Sequence, residues 1–295
     1  MSQPERLKIA LLQHGCPPGE DYAQLFRRTQ TLVRDAADRG AKLIATQELF
    51  NLPYFPRTKA EANFQYAEPI PGPTSNRLCQ LAGDTDTYLI ASLFEKRAPG
   101  IFHNTAILID PHGQIIGKYR KMHIPDDPGF YEKYYFTQGD LGWPTHVIGG
   151  AGGATIGMLI CWDQWFPEAA RLMTLRGAQL LFYPTAIAWC QDEPASEQQR
   201  QLDAWITVQR THAITNGIFV VAINRVGTEG ELTFWGHSFV VDPSGCVIGQ
   251  TDDKEERALI VDCDLSLIDR TREDWPFLRD RRIDAYGDLT RRLAD

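Results

Sequence analysis

The chain has 295 residues, 43% of them hydrophobic and 23% charged, and carries a formal net charge of −8. That composition belongs to a folded chain with a sizeable core, which excludes a disordered or fibrous protein, and the acidic balance argues against nucleic acid as a partner. No window holds the ~18 apolar residues of a membrane helix, and MSQPERLKIALLQ lacks the apolar stretch of a secretory signal, so a cytoplasmic protein without a membrane partner is expected.

Leu7 to Gln13 (LKIALLQ) reads as a buried strand. Tyr22 to Arg39 has helical spacing, with Leu25, Phe26, Leu32, Val33 and Ala36 on one face and Gly40 as its stop. Lys42 to Thr46 is the next strand, which completes a β-α-β opening, and Tyr88 to Phe94 is another. Residues 107–117 (ILIDPHGQIIG) and 239–249 (FVVDPSGCVIG) each set Asp-Pro-x-Gly between apolar runs, as a hairpin with a type I turn requires. GGAGG at 149–153 precedes a strand rather than a helix, so it reads as a tight turn and not a phosphate cradle.

Thr155 to Ile160 is a strand, and Phe166 to Arg176 a helix closed by Gly177. Gln179 to Tyr183 is a strand, Glu197 to Asn216 a long helix closed by Gly217, and Ile218 to Asn224 a strand. Alternating strands and helices, with one hairpin in each half, predict two mixed sheets packed together with helices outside both. No linker composition divides the chain. One domain over 1–265 is expected, followed by a C-terminal arm over 266–295. Trp275, Pro276, Phe277 and Leu278 give that arm reason to pack on the body or on a partner subunit. The basic clusters at Arg279, Arg281 and Arg282 and at Arg291 and Arg292 are short and diluted by acidic neighbours, so they read as solvated or subunit-facing.

Six cysteines are scattered without a CxxC pair, and all should be free thiols. Five read as small core residues. Cys161 differs, because it stands where an apolar strand gives way to a helix start, LICWDQWFPEAAR. A helix N-terminus lowers a thiol pKa and offers free N–H groups to an oxyanion. Position alone leaves a plain core thiol open. A nucleophilic thiol needs a base, and none of the seven histidines is obviously matched to it. Glu48, directly after the strand Lys42–Thr46, could serve if burial raises its pKa. Lys121, at the end of the first hairpin, could hold an oxyanion. Either could equally be a surface charge. No His-x-x-x-His or Cys/His cluster suggests a metal, and no cofactor motif is present.

Glu48, Lys121 and Cys161 in this order, with Asn104-Thr105-Ala106 between them, resemble the nitrilase/amidase superfamily of carbon–nitrogen hydrolases. The resemblance implies a four-layer α-β-β-α sandwich, a Glu-Lys-Cys catalytic set and a homo-oligomer of at least two subunits. It also implies a catalytic role for Glu132 in GFYEKYYF and an oxyanion contact from the Trp162 N–H. Four segments, among them KMHIPDDPGFYEKYYFTQGD and WPFLRDRRIDAYGDL, are similar to the branch that hydrolyses N-carbamoylputrescine. The substrate implied is that molecule or a related ureido compound. An ammonium at its far end would suit acidic or aromatic company, for which Tyr54, Asp163 and Trp189 are candidates, with Asp192 and Glu193 nearby. Arg225 could instead hold a carboxylate, which would favour a carbamoyl amino acid such as β-ureidopropionate. A general amidase, a transferase using the same cysteine, and a pocket that only binds remain rival readings.

Overall fold

The computed structural model describes residues 6–17, 19–150 and 153–294. Its first half runs β1 (Arg6–Gln13), α1 (Tyr22–Asp38), β2 (Leu43–Thr46), α2 (Pro73–Thr85), β3 (Tyr88–Ala98), β4 (Ile101–Ile109) and β5 (Ile115–Arg120). The second runs β6 (Thr145–Ile148), β7 (Ala154–Met158), α3 (Pro167–Leu175), β8 (Leu180–Pro184), β9 (Ala188–Cys190) and α4 (Ala195–Asn216). It continues through β10 (Phe219–Ile223), β11 (Val226–Glu229), β12 (Leu232–Trp235), β13 (Phe239–Val241), β14 (Val247–Gln250), β15 (Arg257–Asp264) and α5 (Ser266–Asp274).

Two six-stranded sheets result, ordered β15-β1-β2-β3-β4-β5 and β14-β13-β10-β8-β7-β6. In each, three neighbouring strands are parallel and antiparallel strands flank them, from hairpins and, beside β1, from β15. The alternation along β1 explains the layering. Leu7, Ile9 and Leu11 join one core with Ile156, Met158, Phe182 and Val220 of the second sheet. Ala10 and Leu12, on the opposite face, pack under Phe26, Val33 and Ala36 of α1 and Leu78 and Leu81 of α2. Helices α3 and α4 cover the far side of the second sheet, where Ala170, Met173, Trp205 and Ala213 are buried. This is the expected α-β-β-α sandwich.

Both predicted turns form. The Gly113 N–H donates to the Asp110 carbonyl and the Gly245 N–H to that of Asp242, each at 2.9 Å, with both glycines at positive φ. The turn expected at 149–153 includes Ala151 and Gly152, which lie outside the described residues.

Three features depart from expectation. Helix α2 and the small antiparallel sheet β11-β12-β9 carry too few periodic apolar residues to signal themselves. Residues 266–274 form α5, whose Ile268 is fully buried, while Trp275, Phe277, Ile283, Leu289 and Leu293 are exposed. The cysteines other than Cys161 are not a set of core residues either: only Cys263 is buried, Cys16, Cys79 and Cys190 are half-buried, and Cys246 sits exposed after the second turn. A hairpin turn has no core side at which to bury it. No described helix is long and apolar enough to cross a membrane.

Candidate active site

Three strand ends converge between the sheets. Glu48 follows β2, Lys121 follows β5, and Cys161 comes three residues after the end of β7. Glu48, Lys121 and Glu132 are all fully buried, and Cys161 is 6% exposed. The Lys121 ammonium donates to Glu48 Oε1 at 2.8 Å and to Glu132 Oε2 at 2.6 Å. Burial by itself would lower the Lys121 pKa, but the carboxylates of Glu132 and Glu48 outweigh that and hold it above its ordinary range. The charged ammonium form is therefore favoured.

Two carboxylates share that one cation. Burial pushes the Glu132 carboxyl up to about 7, against the pull of Lys121. Its second oxygen accepts from the Tyr54 hydroxyl at 2.8 Å. Glu48 Oε1 accepts a second bond from Asn104 Nδ2 at 2.6 Å, while Glu48 Oε2 is buried and has no hydrogen-bond partner among the described residues. An unpartnered buried carboxylate oxygen is costly unless a proton arrives there during function.

Cys161 opens a 3₁₀ turn, Cys161–Trp165, with φ at +44°. A non-glycine residue in this region is strained, and the surroundings must hold it there. Asp163, fully buried, does so from one side. It accepts from Ile160 N–H at 2.9 Å, Tyr119 O–H at 2.8 Å, and the backbone N–H and Nδ1 of His123 at 3.0 and 2.7 Å. From the other side, α4 clamps Gln164: Trp205 Nε1 and Gln209 Nε2 donate to its Oε1 at 2.6 and 2.9 Å, and His212 Nε2 lies 2.8 Å from its carbonyl.

The thiol is not acidified as its position at a helix start suggested. Burial, and then the Glu48 charge, push the Cys161 pKa well above its ordinary value. Lys121 and a hydrogen bond from the Ala186 backbone N–H work in the opposite direction without prevailing. One short turn has a weak dipole, and the two nearby carboxylates disfavour a third negative charge. The arrangement suits transfer of the thiol proton to a neighbouring base at the moment of attack, not a standing thiolate.

Cys161 and Glu132 reach the wall of a cavity of about 540 Å³. Trp162, Trp165, Phe130 and Trp235 line it, and Glu193 and Arg200 bring charge to it. The Trp162 N–H lies in the first turn of its short helix, where amides have no intrahelical acceptor.

Five sequence candidates for substrate contact fall elsewhere. Tyr54 is fully buried behind Phe130, its ring centroid 5.7 Å away, with its hydroxyl committed to Glu132. Asp163 has its carboxylate filled by the four donors around the Cys161 turn. Trp189 is not among the cavity-lining residues; its indole donates to the Gln198 carbonyl at 3.1 Å and its ring packs on Trp235. Asp192 is exposed and also not among them. Arg225 is consumed by Glu229 at 2.5 Å and by the carbonyls of Leu49 and Leu52, both at 2.9 Å, so it cannot receive a substrate carboxylate. Trp162 and Glu193, also raised from the sequence, do line the cavity. Asn104 and Ala186 were missed as site residues, although the Asn104-Thr105-Ala106 segment was the available signal for the first.

An acid, an ammonium and a thiol buried together at strand ends of an α-β-β-α sandwich define a class of hydrolase. The chain belongs to the carbon-nitrogen hydrolase family, whose profile matches residues 8–273. It is 41% identical to the N-carbamoylputrescine amidase of Solanum lycopersicum, over 97% of this chain and 96% of that one. It is 35% identical to the citrullinase of Francisella tularensis, over 97% and 99%. Among solved structures, a carbon-nitrogen hydrolase from Helicobacter pylori superposes with a TM-score of 0.93 at 41% identity, over 98% of this chain and all of that one.

Proposed function

We propose that this protein hydrolyses N-carbamoylputrescine to putrescine, ammonia and carbon dioxide. The observation that carries the chemistry is the buried Glu48 Oε2, without a hydrogen-bond partner among the described residues and close enough to Cys161 for its charge to act on the thiol, with Glu48 Oε1 tied to the Lys121 ammonium. Near-full-length similarity to plant N-carbamoylputrescine amidases supports the choice of substrate.

In this reading Glu48 takes the Cys161 proton as the sulfur attacks the ureido carbon. A ureido carbonyl is a poor electrophile, because two nitrogens donate into it. The developing oxyanion is held by Lys121 and the Trp162 N–H, and one such donor is worth about 10²–10³ in rate. The C–N bond to the diamine then breaks, and Glu48 returns its proton to the leaving nitrogen. A thiocarbamate on Cys161 remains. Glu48 removes a proton from water, hydroxide adds to the thiocarbamate carbon, and the sulfur leaves and regains its proton. The released carbamate breaks down to ammonia and carbon dioxide. Glu132 holds Lys121 in place and is itself held by Tyr54.

A second reading has one observation in its favour: Arg200 lines the same cavity as Glu193, so a zwitterionic ureido amino acid of the citrulline kind would meet both signs of charge. Ammonia release from a panel tests the pair, namely carbamoylputrescine, citrulline, β-ureidopropionate, a simple amide and a nitrile. Preference for carbamoylputrescine supports the first reading, and preference for citrulline replaces it with the second. A homo-oligomer belongs to the same proposal, supported by exposed Leu175, Trp275, Phe277, Ile283 and Leu289. So does a cytoplasmic site of action, in keeping with six free cysteines.

A further inference from the structure

The cavity wall carries three carboxylates and one guanidinium, and they are not equivalent. Glu132 is spent on Lys121 and Tyr54. Asp127 is open to solvent. Arg200 is exposed and paired with Glu197, its Nε 2.8 Å from Oε2. Glu193 differs. Its Oε1 accepts from Gln201 Nε2 at 3.0 Å, and its carbonyl accepts from Gln198 Nε2 at 3.0 Å, so the first turns of α4 hold it in place. Its Oε2 is shielded from water and has no partner among the described residues. A positioned carboxylate with one idle, dry oxygen is an incomplete ion pair, and a ligand cation that completed it would gain a charge-assisted hydrogen bond.

We propose that Glu193 is the specificity residue that reads a primary ammonium at the far end of the substrate, while Cys161 engages the ureido group. The inference rests on the hydrolase reading above and deepens it. The nearby apolar wall of Trp162, Trp165 and Trp235 suits the methylene chain between the two ends. Aromatic faces also tolerate a cation passing over them.

The test compares carbamoylputrescine with N-butylurea, which keeps the ureido group and the four carbons but lacks the ammonium. For Glu193→Gln, KM for carbamoylputrescine should rise about 10- to 100-fold with kcat within about twofold, the loss expected when a charged hydrogen bond is removed from uniform binding. The variant's kcat and KM for N-butylurea should stay within about threefold of wild type, which also reports that it folds. Equal changes for both substrates, or no change for carbamoylputrescine, would overturn the assignment. If the wild type cleaved neither compound, the hydrolase reading would fall, and thermal melts with putrescine would then decide the subsite. A putrescine-induced rise in Tm that Glu193→Gln abolishes keeps it, and a rise insensitive to the substitution, or none, removes it.

Discussion

The two oxygens of Glu48 are in different circumstances. Oε1 is fixed by Lys121 and Asn104, and Oε2 has no partner among the described residues. Replacing Glu48 by Gln keeps the shape and removes the base. Steady-state ammonia release should fall by at least about 10³, because the thiol has no acceptor for its proton and its own pKa is raised. Release within about tenfold of wild type would show that another group takes the proton. Asn104→Ala has a milder expected outcome. Glu48 would keep its ammonium partner but lose one of the two bonds that fix it, so kcat should drop about 10- to 100-fold while KM moves little. A change confined to KM would remove Asn104 from the positioning of the base. Glu48 and Lys121 were legible as candidates because each charged residue directly follows an apolar strand. Asp163 and Tyr54 misled because an acid beside the cysteine and a phenol shortly after Glu48 look the same in a sequence whether they face the cavity or the protein. Only the three-dimensional partners of Asp163, drawn from residues 119, 123 and 160, reveal which.

At the scale of elements, the Cys161–Trp165 turn depends on contacts from the strand end after β5 and from α4. Asp163→Ala would strip four donors of their acceptor. The expected cost is about 2–4 kcal/mol, readable as a lower midpoint in urea denaturation, together with loss of activity in protein that is still folded. Unchanged activity would contradict the view that Asp163 holds the strained cysteine. The junction between β1 and α1 supplies a pH-dependent contribution. His14 is fully buried, Nδ1 lies 3.1 Å from the Gly15 carbonyl, and Nε2 lies 3.1 Å from the Thr29 hydroxyl. Burial lowers its pKa from 6.5 to about 4. The unfolded chain therefore binds a proton below about pH 6.5 that the folded chain refuses until about pH 4. The stability this group contributes is complete above pH 6.5 and declines between those limits, by an amount on the order of 3 kcal/mol. His14→Gln should flatten that part of the curve when urea midpoints at pH 7 and pH 4.5 are compared, and an identical pH dependence in the variant would contradict the assignment. The long helices and central strands were legible because their apolar spacing is strong and glycines end them. Helix α2 was not, since only five of its residues are buried, and two of those are Thr74 and Ser75.

Over the whole molecule, the sandwich does two things for the site. Parallel strands in both sheets bring Glu48 and Cys161 to corresponding edges, and the hairpin β4–β5 swings Lys121 between them. The fold class was readable because two Asp-Pro-x-Gly hairpins sit in otherwise alternating βα patterns. The mode of association was less so, since a surface partner leaves no periodicity. The apolar side chains of residues 275–294 are more than a lone subunit tends to leave in water. Light scattering should therefore give at least a dimer for the full chain and a smaller species for a chain ending at residue 274. A full-length monomer at micromolar concentration would contradict the proposed oligomer.

The account stands on the sulfur of Cys161 as the atom that attacks the ureido carbon. Ammonia release from N-carbamoylputrescine by Cys161→Ala, with folding verified by an unshifted thermal melt, tests that most directly. Activity should fall below about one part in 10⁴ of wild type, since no neighbouring side chain can replace the thiol. Turnover at a tenth of the wild-type rate or more would contradict it, and with it the roles given to Glu48 and Lys121.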